Sequence, residues 1–301
     1  MDKMIQEAAT KAIKDNKPNA EIPISFLTYY CESDTHFLEG NIESIPKGAE
    51  HIFVKTIPSN NPQSLYEDIF EIYGNSLRAI KDNISFDKQE NVKLIKEITV
   101  NGVSQKWYEY FYYKDDFINT FSFSKAANIC IEKASRKWMF ILNADERVLI
   151  ESKEIDMLNY LPEEIKGLFV KNITWVQSET KEELEEYPYG LITPVNQLRL
   201  FQKIKGIRYV DRVHEKISKK FIEEGHKTAV SNILIKHQGN HSKAEIIEKN
   251  FRNIPLMCQD LFQRIYKTKD GGYGYDKEIM ERLYAGLVAL KGAGYIPDRK
   301  L

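Results

Sequence analysis

The sequence has few cysteines and no excess of charge of either sign. Its three cysteines, Cys31, Cys130 and Cys258, lie far apart, which excludes a disulfide framework and a zinc-ligand spacing and favours reduced thiols in a cytoplasmic protein. The 43 basic and 44 acidic side chains give a formal net charge of −1. This balance argues against nucleic-acid binding through a broad basic surface.

Long apolar runs and glycine-rich phosphate loops are also missing. No stretch approaches the ~18 apolar residues that cross a bilayer, and the first residues have no apolar signal-peptide core, so we expect a cytoplasmic protein without a membrane span. No G-x-x-x-x-G-K or G-x-G-x-x-G motif accompanies the first predicted strand, which weighs against enzymes that hold nucleotides in such a loop. What is present is a 301-residue chain, 42% hydrophobic, that can bury a sizeable core.

Predicted strands and helices alternate along the first two-thirds of the chain. Runs rich in Ile, Val, Phe and Tyr predict strands at 22–30, 51–57, 92–100, 106–113, 138–142, 167–176, 197–204 and 231–237. In FSKAANICIEKA (123–134) the apolar residues fall on one helical face. The alternation predicts an α/β fold with a mixed, mostly parallel sheet flanked by helices.

The pattern becomes helical after residue 240. A capping box that begins at Ser242 starts a helix, Pro255 is expected to kink or restart it, and a further helix is predicted over 276–292. We therefore divide the chain into a catalytic domain, 1–240, and a helical C-terminal extension, 241–301. The extension would pack on the α/β body or on a second copy, which leaves a homodimer open.

One strand ends in acidic residues. In WMFILNADERV (138–148) a hydrophobic run leads into Asn143, Asp145 and Glu146. Ligands of open α/β sheets bind at the carboxyl ends of strands, and carboxylate and amide oxygens suit Mg²⁺ or Mn²⁺ on a diphosphate. The alternative is a plain turn with an N-cap for a helix near 152–160.

A second polar group follows downstream in LRLFQKIKGIRYVDRVHEKI (198–217). Arg199 stands in an apolar strand and must meet an anion, either a carboxylate or a phosphate. His214 can bind a metal and Glu215 can accept a proton. The alternative for this His-Glu pair is an ordinary surface position.

Together these stretches resemble the bacterial family-2 glycosyltransferases of the GT-A fold. That family has a helix F-S-x-A-R-N-x-x-L-x-x-A, then W-I-L-x-L-D-A-D-E, R-L-F-R and V-H-E, and later H-x-G before a helix with R-N. The matching segments here are FSKAANICIEKASRKWMFILNADERV, LRLFQKIKGIRYVDRVHEKI and IKHQGNHSKAEIIEKNFRN. The resemblance covers residues 121–253 well and 22–57 more loosely.

The resemblance implies a GT-A-like, Rossmann-like fold and a metal-dependent, inverting glycosyltransferase of the hexosyltransferase type. The donor would be a nucleoside-diphosphate sugar, most simply UDP-linked, and the cofactor Mn²⁺ or Mg²⁺. By the same resemblance the metal ligands are Asp145 and His214, the candidate bases Glu215 and then Asp211, and the donor-pocket residues Asn128, Asn143, Arg199, Glu146 and His237.

The chain departs from the family pattern in three places. Asn143 replaces the first Asp of Asp-x-Asp, and Ala127 replaces the helix Arg. The acidic stretch that reads the base is replaced by TIPSNN, in which Thr56 and Asn60 can still hydrogen-bond a uracil or a ribose.

Two other functions stay open at this point. One is a catalytically degenerate protein that binds a sugar nucleotide, and the other is a different Mg²⁺-dependent α/β transferase that uses a nucleotide. The acceptor is equally open: a protein, a saccharide, a lipid carrier or a modified nucleic acid.

Overall fold

The structure, a computed structural model, describes most of the chain. The described residues are 22–60, 91–114, 119–175, 192–210, 216–217, 221, 224–237, 243–263, 266–267, 273–274 and 277–292.

Within these residues eight strands overlap the eight predicted apolar runs. The strands are β1 (Ile24–Tyr30), β2 (Glu50–Ser59), β3 (Val92–Val100), β4 (Val103–Tyr113), β5 (Trp138–Ile141), β6 (Glu146–Leu149), β7 (Ile165–Trp175), β8 (Ile192–Gln202), β9 (Tyr209–Val210), β10 (Lys216–Ile217), β11 (Lys227–His237), β12 (Tyr266–Lys267) and β13 (Tyr273–Gly274). The short strands β6, β9, β10, β12 and β13 were not predicted. The helices are a 3-10 helix (Glu32–Phe37), α1 (Leu38–Glu43), α2 (Phe123–Lys133), α3 (Ser152–Met157), α4 (Lys243–Gln263) and α5 (Lys277–Gly292).

Nine strands form one sheet in the order β3-β4-β2-β1-β5-β8-β7-β11-β6. Strands β4, β2, β1 and β5 are parallel, as are β7 and β11. The other four neighbouring pairs are antiparallel, and so are the β9-β10 and β12-β13 ribbons. The predicted mixed α/β sheet flanked by helices is confirmed, but the prediction that it is mostly parallel is not. Apolar periodicity identifies a strand without giving its neighbour's direction, because a strand buried on both faces is apolar in either case.

Strand β1 is buried along its whole length because both of its faces are covered. Ile24 and Phe26 belong to one hydrophobic cluster, whereas Leu27 and Tyr29 belong to a second cluster on the opposite face. This is the two-residue alternation of a strand between two layers. The carboxyl end of β1 therefore lies at the centre of one sheet edge.

Helix α2 packs on β1 and β2 through the face predicted from the sequence. The Ser122 side chain accepts a hydrogen bond from the Lys125 amide, which satisfies one free amide at the start of the helix. Ala126, Ala127 and Cys130 are fully buried in the second cluster. Because Ala127 faces the sheet, the side chain at this position does not point toward a ligand at the sheet edge.

The C-terminal helices pack against the α/β body. Leu256 and Met257 of α4 and Ile279 of α5 form a buried cluster with Phe121, which precedes α2. Helix α4 continues through Pro255 as a single helix, so it does not restart there, and the alternative of a kink stays a prediction. The domain boundary placed at residue 240 stays a prediction. No helix in the described part of the chain has the length and apolar character needed to cross a membrane.

A buried carboxylate holds the opposite, amino edge of the sheet. Glu50, the first residue of β2, accepts hydrogen bonds from the Ser135 amide at 2.8 Å, the Ser135 hydroxyl at 2.9 Å and Lys106 Nζ at 2.9 Å, as well as from the Ser25 hydroxyl. Burial alone would raise the pKa of Glu50, but these donors outweigh it and lower that pKa overall. The carboxylate thus joins β1, β2, β4 and the approach to β5.

Candidate functional site

The acidic turn lies at the carboxyl edge of the sheet. β5 ends at Ile141 and β6 begins at Glu146, yet β8, β7 and β11 lie between these two strands in the sheet. The connecting residues therefore cross the sheet edge in front of β8 and β7. β6 then pairs antiparallel with β11, which places His237 opposite Glu146. Side chains from four strands are thereby brought together.

Glu146 is turned into the protein rather than toward solvent. Its side chain is 1% exposed, and its Oε2 accepts a hydrogen bond from the Asn143 amide at 2.8 Å. Its Oε1 accepts from Asn172 Nδ2 at 3.2 Å and from Arg199 Nη2 at 3.2 Å. The anion that Arg199 was predicted to meet is this carboxylate. Glu146 therefore anchors the turn to β7 and β8.

Asp145 is the acid of the turn that solvent can reach. Its side chain is 21% exposed, and Oδ2 lies 2.8 Å from Nε2 of His237, whose side chain is 17% exposed. Two residues predicted from separate motifs are thus neighbours, at the last position of β11 and in the turn after β5. A carboxylate oxygen and an imidazole nitrogen beside each other suit a divalent cation such as Mn²⁺.

A complete metal site cannot be assembled from the described residues alone. They contain no group of three or more His, Cys, Asp or Glu side chains placed to hold a metal. The predicted ligand His214 and the candidate bases Asp211 and Glu215 lie outside the described residues. The part of the donor set that is described, Asp145 with His237, fits a divalent cation.

Two further side chains brace the turn from the α1 side. Asn41 Nδ2 donates to the carbonyl oxygens of Asn143 at 2.8 Å and Glu146 at 3.0 Å. Arg147 Nη1 donates to the carbonyl oxygens of Ala144 at 3.1 Å and Glu146 at 2.9 Å. These bonds satisfy carbonyl groups at a point where the chain has left the sheet ladder.

The predicted donor-pocket residues Asn143 and Asn128 are occupied by contacts within the protein. Asn143 Nδ2 lies 3.4 Å from Glu146 Oε1, so its amide group faces inward. Asn128 Nδ2 donates to the Tyr209 carbonyl at 2.9 Å, and its Oδ1 accepts from the Tyr209 amide at 2.8 Å. Asn128 therefore ties α2 to β9. Ligand contacts for both residues stay predictions.

Thr56 and Asn60 lie at and beyond the end of β2. Thr56 is buried and donates to the Tyr30 carbonyl at 3.1 Å, which ties β2 to β1. Asn60 is exposed just after the strand. Of the two, Asn60 is therefore the one whose side chain is accessible to a base or a ribose, and this role stays a prediction.

The end of β1 supplies polar groups that are held protonated. Burial, followed by the charges of Glu32 and Glu109, raises the pKa of Tyr30 to about 12. Burial and a hydrogen bond to Asp34 raise the pKa of the Cys31 thiol. At neutral pH these groups are a neutral phenol and a thiol, which can donate hydrogen bonds but are poor nucleophiles.

Several residues of the site gave only weak signals in the sequence. Gln197 and Arg199 are two apart in β8 and share one face, and Gln197 Oε1 accepts from Arg199 Nε at 2.8 Å. Asn172 is a polar residue two positions after Val170 on the buried face of β7, a mark that could have drawn attention to it. Asn41 carried no such mark, because a polar residue in a short helix is ordinary.

Comparisons with known proteins add little to this description. A scan of protein-family models and a search of curated proteins found no match. Among solved structures, S. aureus TarS 1-349 aligns with a TM-score of 0.38 and 9% identity over 92% of this chain and 75% of that one. The same protein in complex with UDP-GlcNAc gives a TM-score of 0.40 and 10% identity over 89% and 72%. Full TarS gives a TM-score of 0.35 and 10% identity, with 46% of its length covered. Likeness at this level establishes neither the fold family nor the activity of this chain.

Proposed function

We propose that this protein is a GT-A-type glycosyltransferase that moves a sugar from a nucleoside-diphosphate donor, most simply UDP-linked, to a nucleophile on an acceptor. The observation that carries the proposal is the braced turn at the carboxyl edge of the sheet. It presents Asp145 outward, 2.8 Å from His237, while Glu146 is anchored inside. The motif resemblance across residues 121–253 supports the same function.

The proposed reaction is a single displacement that inverts the anomeric carbon. The bond from that carbon to the diphosphate oxygen breaks, and the diphosphate leaves with the electron pair. A bond forms from the acceptor to the same carbon, and the acceptor proton passes to a carboxylate, for which Glu215 and then Asp211 are the candidates. A base in hydrogen-bond reach of the attacking group contributes ~10²–10⁴-fold.

Asp145 would hold a divalent cation, with His237 beside it and His214 as a further predicted ligand. Such a cation neutralises the negative charge that develops on a leaving diphosphate. This chain's own part is to keep the Asp145 carboxylate oriented and accessible. Placing Glu146 inside, next to Arg199, separates the structural acid of the turn from the ligand-binding one.

The first experiment is a thermal-shift panel of UDP-, GDP-, dTDP-, ADP- and CDP-sugars, each with and without Mn²⁺. A ligand at 100 times its dissociation constant stabilises the native state by about 2.7 kcal/mol. We expect a Mn²⁺-dependent shift with one nucleotide class. The Asp145→Asn variant should lose this shift, whereas Asp156→Asn, an exposed position in α3, should keep it. An undiminished Mn²⁺-dependent shift in Asp145→Asn would rule out the metal role of Asp145.

A specific observation favours a second function, a sugar-nucleotide-binding protein without turnover. Of the two Asp-x-Asp positions only that of Asp145 carries a carboxylate, because the other is Asn143, whose Nδ2 lies 3.4 Å from Glu146 Oε1. Binding of a nucleotide sugar without release of the nucleoside diphosphate, in the presence of Mn²⁺ and candidate acceptors, would identify this function. Release of pyrophosphate would instead identify a nucleotidyltransferase.

A further inference from the structure

We propose that Asn41 is a positioning residue for the acidic turn. It holds the backbone on both sides of Asp145 so that the Asp145 carboxylate is presented in the orientation that glycosyl transfer requires. The inference rests on the proposed function. Asn41 belongs to none of the motifs discussed above, and its role follows from the contacts of one buried side chain on α1.

The side chain of Asn41 is fully buried and uses both amide hydrogens on the turn. They reach the carbonyl oxygens of Asn143 and Glu146, which flank Asp145 on either side, at 2.8 Å and 3.0 Å. Thr28 Oγ1 lies 3.4 Å from Asn41 Oδ1 and donates to the Leu142 carbonyl at 2.9 Å. The end of β5 and the turn that follows it are thus tied to β1 and α1.

Arg147 of β6 supplies a second brace, which links the turn to the 3-10 helix before α1. Besides its bonds to Ala144 and Glu146, its Nη2 donates to the carbonyl oxygen of Phe37 at 2.8 Å. Asn41 and Arg147 together satisfy the carbonyl groups of Asn143, Ala144 and Glu146. The turn is therefore held through its backbone, in addition to the contact between Asp145 and His237.

Gly40 leaves room for this second brace. A Cβ atom at Gly40 would overlap Nε of Arg147 and lie 2.6 Å from its Nη2 and 2.8 Å from its Cζ. Such contacts are shorter than van der Waals separation, so the guanidinium group of a Gly40→Ala variant would have to move. Gly40→Ala therefore disturbs the turn through Arg147, whereas Asn41→Ala disturbs it through the amide, which gives two independent perturbations.

A purely structural role for Asn41 predicts lower stability and nothing more. A positioning role predicts in addition that kcat falls more than KM rises, because a displacement of about 1 Å from the productive geometry costs about 10²-fold in rate. It also predicts local loosening. The amides of Asn143 and Glu146 are protected by hydrogen bonds within the turn and should exchange faster when a brace is lost.

The test compares Asn41→Ala and Gly40→Ala with Ser135→Ala, which removes one hydrogen bond to buried Glu50 at the opposite sheet edge. Amide hydrogen exchange is measured over residues 142–147, and kcat and KM are measured with UDP-glucose or UDP-N-acetylglucosamine and Mn²⁺. We expect faster exchange confined to the turn and a kcat about 10- to 100-fold lower in both test variants. Ser135→Ala should keep wild-type exchange at the turn and wild-type kcat.

The proposal would be overturned if both test variants had the same amide exchange at the turn, and the same kcat, as Ser135→Ala. If Asn41→Ala does not fold, Gly40→Ala carries the test, because it retains the Asn41 amide. Wild-type protein that binds no nucleotide sugar would refute the proposed function, while faster exchange confined to the turn would still show that Asn41 sets its position.

Discussion

The buried carboxylate of Glu146 allows a quantitative test of how the turn is held. Glu146→Gln preserves the size of the side chain but removes its charge and turns one oxygen into an NH₂ group. Oε2 accepts from the Asn143 amide, and Oε1 accepts from Asn172 and Arg199. In either orientation of the new amide, therefore, its NH₂ group faces another donor.

The expected cost follows from the contacts of Glu146. A hydrogen bond to a charged group contributes about 1.5–3 kcal/mol, and removing one partner of a buried ion pair costs about 3–5 kcal/mol. The two values overlap, because both count the loss of the Arg199 contact. In the variant Arg199 would retain its hydrogen bond from Nε to Gln197 Oε1, at 2.8 Å, and its side chain is 14% exposed to water, and both facts reduce the cost of losing the Glu146 charge. We therefore expect Glu146→Gln to lower the free energy of unfolding by about 3 kcal/mol, the low end of the range.

Urea unfolding monitored by circular dichroism measures this loss. The matched control is Glu154→Gln, because Glu154 is also buried but accepts from the Glu151 amide, and burial raises its pKa. The control should lose about 1 kcal/mol or less. A loss below about 1 kcal/mol for Glu146→Gln, or one equal to that of the control, would refute the anchoring role. Glu146 would then be available as a ligand-binding acid.

Three further predictions concern pH and a second contact. Burial lowers the pKa of His51 to about 3 in the folded protein. Between pH 6.5 and about pH 3 the unfolded chain therefore binds one more proton than the folded chain, and the free energy of unfolding decreases as the pH decreases. At pH 5 this proton binding lowers the free energy of unfolding by about 2 kcal/mol. Between pH 7 and pH 5 the His51→Gln variant should therefore lose about 2 kcal/mol less of its free energy of unfolding than wild type does, as measured by urea unfolding. The lowered pKa of Glu50 stabilises the fold above about pH 4.3, and this stabilisation is lost as the pH falls through the pKa that Glu50 has in the folded protein. The difference in the free energy of unfolding between wild type and Glu50→Gln should therefore be constant from pH 8 to pH 6 and become smaller below about pH 4. Asn128→Ala removes both hydrogen bonds to the Tyr209 backbone and should lower the free energy of unfolding by about 2 kcal/mol in the same assay. Nucleotide binding should stay unchanged, whereas weaker binding would support the predicted contact of Asn128 with the donor.

Much of the fold could be predicted because local patterns carry it. The apolar runs at 92–100 and 123–134 appear as β3 and α2 almost residue for residue. β3 alternates between apolar and polar residues, whereas helix α2 repeats its apolar residues at the 3.6-residue period, and these two periods distinguish strand from helix. The antiparallel pairing of β8 with β5 and β7 was not predicted, because strand direction depends on contacts between segments far apart in the chain.

The acidic turn at a strand end was predicted from the sequence, but the division of roles between its two carboxylates was not. Asp145 and Glu146 are adjacent carboxylates at a strand end, and no local rule says which one points inward. The structure places Glu146 next to Arg199 and leaves Asp145 beside His237. Asp145 lies in the turn and Glu146 begins β6, and the contacts of Glu146 with Asn172 of β7 and Arg199 of β8 decide which of the two is buried.

The linear order of residues is therefore enough to identify the long strands and helices, the strand end that is acidic and the need of Arg199 for an anion, because these properties depend on side chains within a few positions of one another. The identity of that anion and the bracing of the turn by Asn41 depend on packing between residues 53 and 105 positions apart. A charge inside a protein must be paired where the fold places it, and that position exists only once the sheet has assembled.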